Sequence, residues 1–255
     1  MARDLLIRGM LAGILAAFIV TLFARLVAEP QVDLAIAFEA SHEQAEHSHP
    51  GHAMAMPAAP EPELVSRATQ KGIGLLTATT LYGAAVGGIF ALVFAVIYGR
   101  VGKLGPRSLS LLLAIGAFIA IALVPAIKYP ATPPAVGQHE TVVFRTLTYF
   151  SMIALSIVAL VIATKIGRAL SARTGPFNAM LIAAGAYVAI IVAVQFALPA
   201  INEVPADFPA VVLWRFRIAS LGVQAILWLV IGIGFGAMAD RILRKTAAGR
   251  FRHPR

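Results

Sequence analysis

"GIGLLTATTLYGAAVGGIFALVFAVIY", residues 72–98, runs 27 positions without one charged side chain. A bilayer core about 30 Å thick is crossed by about 20 apolar residues in a helix, so this stretch predicts a membrane-spanning segment. Five further runs meet the same requirement. They extend from Leu5 to Val27, from Leu109 to Ile127 with Pro125 marking the end, from Leu147 to Ile166, from Ala179 to Leu198 and from Ile218 to Ala239. The fold class expected is therefore an all-α polytopic membrane protein with six transmembrane helices, or five if one terminal helix is not retained. The first run has the basic start of a signal peptide and a small-residue "LVA" at 26–28. However, Arg8 and Arg25 bracket sixteen residues, and both side chains can snorkel to the interfaces, so a retained helix is expected.

Composition agrees. Hydrophobic residues make up 59% of the chain and charged residues 13%, and the mean hydropathy is positive, far from the roughly one-quarter charge of soluble domains. The net charge of +9 does not point to nucleic acid, because the basic residues sit between apolar runs instead of clustering on one solvated face. Cysteine is absent, which excludes disulfides and thiolate metal sites. A metal ion would have to be held by imidazole, carboxylate, thioether or backbone oxygen.

Sorting charge by alternate loops orients the chain. One set holds fourteen basic residues, from Arg3 and Arg8 through Arg100, Lys103, Arg107, Lys165, Arg168 and Arg173 to the tail, with only Asp4 and Asp240 beside them. The other set holds seven basic residues against ten acidic ones, among them Glu29, Asp33, Glu203 and Asp207. Both termini are expected in the cytoplasm of a bacterial inner membrane. Residues 1–255 then read as a single membrane domain, with 28–71 an outer His/Met/acidic loop between the first two helices and 240–255 a basic cytoplasmic tail.

The outer loops carry an internal repeat. "VPAIKYPATPPAV" (124–136) follows the third run and "LPAINEVPADFPAV" (198–211) the fifth, preceded by "GAFIAI" (116–121) and "GAYVAI" (185–190), although the spacing to the proline differs by five residues. Together with "EPQVDLAIAFE" (29–39), these segments suggest three helical hairpins, each with a proline-marked outer turn.

Three of these segments also carry a family likeness. "EPQVDLAIAFE" (29–39), "VSRATQKGIGLLTATTLYGAAVGGIFALVFA" (65–95) and "PAIKYPATPPAVGQHETVVFRTLTYF" (125–150) resemble the CbtA-type proposed cobalt transporter subunits, from the first helix through the fifth. The resemblance implies about five membrane helices and a small single-helix CbtB-like partner with a histidine-rich end. It also implies Co²⁺ uptake linked to cobalamin synthesis. Ni²⁺ is the rival ion, because its ligand preferences overlap those of cobalt.

"SHEQAEHSHPGHAMAM" (41–56) holds four of the six histidines. His42, Glu43, Glu46, His47, His49 and His52 offer the imidazole and carboxylate that Co²⁺ accepts, and on a helix His42 with Glu46 and Glu43 with His47 would share faces. A solvated linker that binds nothing remains the plainer alternative. Further candidate ligands on the expected outer side are Glu29, Asp33, His139 and Glu140, with Glu203 and Asp207 before the last helix. Deeper in the spans the polar or soft candidates are Thr77, Thr79, Thr80, Tyr82, Ser151, Met152, Gln195 and Gln224, and no carboxylate lies at a helix centre, which argues against a buried proton relay.

No phosphate-cradling GxxxxGK[ST] is present, so the chain is not expected to hydrolyse ATP by itself. An inward-negative potential would favour import of a divalent cation by about 4.6 kcal/mol per 100 mV, twice the figure for a unit charge. Enzymatic function is not expected, because "HEQAEH" is one residue too long for HExxH and no His or Asp lies mid-span. Two classes of function stay open: a metal permease component, and a sensor or assembly subunit that binds metal without passing it. The GxxxG steps Gly83/Gly87 and Gly232/Gly236 mark close helix contacts, within the chain or toward a partner helix. The sequence leaves the oligomeric state unknown.

Overall fold

A computed structural model describes residues 2–47, 65–100, 102 and 104–251, without the side chains of 43–47 and 245–251. Among the described residues every regular element is helical. Six helices are long and apolar enough to cross a membrane: Ala2–His42, Arg67–Ile97, Pro106–Lys128, Val142–Thr174, Pro176–Ala197 and Ala210–Arg244, the first to sixth spans below. The apolar side chains left exposed on them, such as Leu22, Leu81, Ile89, Phe150 and Phe196, are those a lipid solvent would cover.

The chain divides into two compact units. One comprises residues 1–115, 133–135 and 207–255, and the other residues 116–132 and 136–206. In the first unit the first and second spans meet along their backbones. A Cβ added at Gly13 would lie 1.8 Å from the Gly83 carbonyl oxygen, and one at Gly9 would lie 2.2 Å from that of Gly87. Only glycine permits that approach, so the Gly83/Gly87 step is filled from within the chain. The second step is filled as well. Gly232 faces Ala114, Gly236 faces Ser110 and Arg107, and the buried Ser110 hydroxyl donates to the Gly232 carbonyl at 2.7 Å. In the second unit Met152, Ala159, Val124 and Ile191 form the core, with Tyr129 and Tyr187 against it.

Helix boundaries follow local chemistry. Ser66 caps the second span, accepting from the Thr69 N–H at 3.4 Å. Gly175, with φ +80°, ends the fourth span, and Pro176 starts the fifth at once.

Proline reads differently in space than in sequence. The stretch 29–39, expected as the first proline-marked outer turn, is helix, because Glu29–His47 continues Ala2–Phe23 through a π-helical segment, Ala24–Ala28. Likewise Pro125, expected to mark the end of the third span, lies inside it, after a π-helical segment Phe118–Leu123, and the helix runs on to Lys128. Proline lacks an N–H and crowds the carbonyl four residues back. A wide turn immediately before it, with Glu29 N–H reaching Ala24 O and Val124 N–H reaching Ile119 O, relieves both problems. Pro199, in the matching position of the repeat, follows a regular helix and lies just beyond its end at Ala197. A π segment overlaps "GAFIAI" from Phe118 onward while "GAYVAI" is regular α-helix, and the two PAI motifs fall on different sides of their helix ends.

Candidate functional site

In each unit the candidate ligands lie at or beyond helix ends, and most of those described are already engaged. Glu29 and Asp33 stand one helical turn apart on the first helix, facing the start of the second. Arg67 reaches Glu29 Oε2 at 2.8 Å and Asp33 Oδ1 at 3.5 Å, and Lys71 Nζ bonds the Asp33 carboxylate. Arg25 joins the group through its Nε, which donates to the Lys71 carbonyl at 3.2 Å. Three cations thus crowd two carboxylates. A divalent ion would have to displace an ammonium or guanidinium to bind there, which turns this cluster into a tie between the first and second spans.

His42 sits further along the same helix. Its Nε2 pairs with Asp207 Oδ2, and its ring lies 4.5 Å from that of Phe38, which in turn packs edge-on against Phe208 at 5.0 Å. Both side chains of the pair are about half exposed, at 46% and 54%. Imidazole and carboxylate are thereby brought together in water, the arrangement that a borderline cation accepts with little rearrangement.

The helix persists to His47, so the backbone carries His42 with Glu46, and Glu43 with His47, in i, i+4 register. The side chains of Glu43, Glu46 and His47 are not described, and His49 and His52 lie outside the described residues. Among the described residues no group of three or more His, Asp or Glu side chains is placed to hold a metal ion.

In the second unit His139 and Glu140 lie exposed on the turn before the fourth span. Their neighbour Glu203 is held instead. Its Oε2 accepts from the Gln138 N–H at 2.8 Å and lies 3.4 Å from Arg145 Nε. The Thr141 hydroxyl, the Gln138 N–H and the Arg145 charge together keep its carboxyl below the usual carboxylate range. Arg145 also donates to the Gln138 carbonyl at 3.1 Å and presses on Gly137, where a Cβ would meet its guanidinium at 2.1 Å. Gly137 has φ +115°, so both its conformation and its lack of a side chain are required. The clamp joins the 136–141 turn to the loop after the fifth span.

Between the helix ends, several polar groups are satisfied by nearby partners. Thr79 donates to the Leu75 carbonyl at 2.8 Å and meets the Thr21 hydroxyl at 2.7 Å. Ser156 and Tyr187 share a 2.8 Å bond, Gln195 Nε2 reaches the Val124 carbonyl at 3.4 Å, and Met152 is fully buried among apolar neighbours. Gln224 Oε1 is buried without a partner. At the opposite end of the first unit Asp240, 5% exposed, is gripped by Arg107 at 3.0 Å and Arg244 at 2.9 Å.

Sequence reasoning found the acids but not their cations. Arg67, Lys71 and Arg145 were visible only as charges in loops, and nothing short of the helix pairing shows which carboxylate each one neutralises. A family model described as CbtA, probable cobalt transporter subunit, matches residues 2–240. No curated protein and no solved structure matches the chain.

Proposed function

The chain belongs to the CbtA family of probable cobalt transporter subunits, and from that premise we propose that it is the membrane-embedded part of a system that imports Co²⁺ for cobalamin synthesis. In this reading it lies in a bacterial inner membrane with both termini cytoplasmic. Segment 41–56 captures the ion on the outer face, beside a small CbtB-like partner with its own histidines. The observation that supports it best is the helix that ends the first span at His42, runs on through Glu43, Glu46 and His47, and sets His42 against Asp207. Glu29 and Asp33 are occupied by Arg67 and Lys71, which shifts the weight of capture toward the histidine segment. A divalent ion collected there is drawn inward by the membrane potential without a phosphate-driven step in this chain.

The test is uptake of labelled Co²⁺ by cells stripped of their own importers. Intact protein, supplied with its small partner, should raise accumulation. The variant with His42, His47, His49 and His52 all changed to Ala should need a higher Co²⁺ concentration for the same rate. Competition by Ni²⁺ at similar concentrations would broaden the cargo to both ions. Binding without accumulation would overturn the permease reading and leave a metal-sensing or assembly subunit.

A further inference from the structure

A groove of about 300 Å³ opens on the first unit, between the first helix around its π-helical segment and the start of the sixth span. Its walls are apolar, with Phe23 and Val27 on one side and Trp214, Ile218 and Gly222 on the other. Gly222 keeps it open, since a Cβ there would come within 2.8 Å of the Phe23 ring. The volume sits at the lower limit of ligand pockets, enough for part of a chain and not for a folded partner.

Two polar groups break the apolar lining. Gln31 Oε1 is buried in the wall without a hydrogen-bond partner, and Arg215 stands at the other side. Arg215 lies about two turns into the sixth span and next to Trp214, which is 66% exposed, the pairing expected at a membrane interface. Neither Arg215 nor nearby Arg217 has an acidic partner among the described residues, and no carboxylate lines the groove. Arg25 and Arg67, the other arginines of this unit near the groove's end, are engaged.

An apolar slot facing lipid with an uncompensated guanidinium at its mouth matches one occupant by charge and shape. We propose that the groove is a specific site for an anionic phospholipid, with an acyl chain between the first and sixth spans and the phosphate on Arg215. A guanidinium fork suits two phosphate oxygens. A headgroup hydroxyl, as in phosphatidylglycerol, would supply the donor that Gln31 Oε1 lacks. The lipid would brace the two spans beside the contact of Gly222 with the Phe23 ring. Independent of metal transport, this site would persist if the uptake reading failed.

The full-length protein is placed in vesicles whose phosphatidylglycerol or phosphatidylcholine carries brominated acyl chains, and quenching of Trp214 is read in a Trp228→Phe background. Trp228 is buried and its Nε1 has no partner, so that change removes no hydrogen bond, and the unmodified chain serves as a second reading. Phosphatidylglycerol should quench with about fivefold preference, the effect of one basic side chain near an anionic surface. Arg215→Gln should abolish the preference and Arg215→Lys should retain most of it. Equal quenching by the two lipids, or a preference unchanged in Arg215→Gln, would overturn the assignment and leave the groove to ordinary lipid or to a neighbouring helix.

Discussion

In the first unit the first and second spans meet backbone to backbone at Gly9, Gly13, Gly83 and Gly87, whereas in the second unit the fourth and fifth spans meet through Gly167 on Ala183 and through the Ser156–Tyr187 hydroxyl pair. Lipid tails are as apolar as leucine, so neither contact is driven by hydrophobic burial. What remains is close packing in one unit and packing assisted by a hydrogen bond in the other. The polar ties at the helix ends differ as well. One unit ties its helices with a network of three cations and two carboxylates, and the other joins two loops with a single clamped glutamate.

The comparison breaks most easily at Gly13. Gly13→Leu drives a side chain into the Gly83 carbonyl, and the first and second spans must separate. Overpacking costs about 1–3 kcal/mol even where neighbours can move, and here the neighbour is backbone. The expected outcome is a collapse in the yield of folded protein in detergent, measured by size-exclusion profile and Tm. A variant that stayed folded with unchanged Tm would show that this seam is not what holds the pair.

A smaller effect is expected in the second unit. Ser156→Ala and Tyr187→Phe each remove one half of a hydrogen bond in the membrane, where such bonds average about 0.6 kcal/mol and reach about 1.7. A double-mutant cycle on unfolding in mild detergent should return a coupling within that range. Zero coupling would reduce the pair to packing and make the two units alike.

The smallest effect lies at Glu203, whose consequence is local. Its folded-state pKa is depressed, so the clamp is complete above the ordinary carboxylate value and is lost as pH falls through the lowered one. The protection factor of the Gln138 amide, with the intrinsic pH dependence of exchange divided out, should therefore stay high through mildly acid conditions and fall below the usual carboxylate range. Glu203→Gln should show a low protection factor already at neutral pH, with little further change on acidification. Identical protection in the two proteins would remove the carboxylate from the clamp.

Much of this was legible in the chain. The six spans were, to within a few residues of their apolar cores, because an uncharged run of spanning length has few alternatives once every backbone group must bond within its own helix. The glycines of the second span were legible as a seam, and Gly9 and Gly13 in "GMLAG" form a GxxxG step of the same kind, but nothing in the sequence shows that the two steps face each other. The helix running through Pro30 was not legible. Proline ordinarily marks an end, and the π turn that absorbs it involves residues of unremarkable composition.

The candidate site divides along the same line. The i, i+4 spacing of His42 with Glu46 and of Glu43 with His47 was legible, but the segment was expected as a loop, and only the structure carries the helix on to His47 and puts the pairs in register. Which acids remain free for a cation depends on what the neighbouring span brings opposite them. Arg67 and Lys71 lie 38 residues from the carboxylates they neutralise, and Asp207 lies 165 positions from His42. By itself the sequence determined a membrane protein of six apolar helices with a histidine-rich segment after the first, because hydrophobic length and helical period are properties of contiguous residues. Only the tertiary structure decided which charges cancel, which glycines touch and where a groove with an unpaired arginine opens, because those depend on distances between residues far apart in the chain.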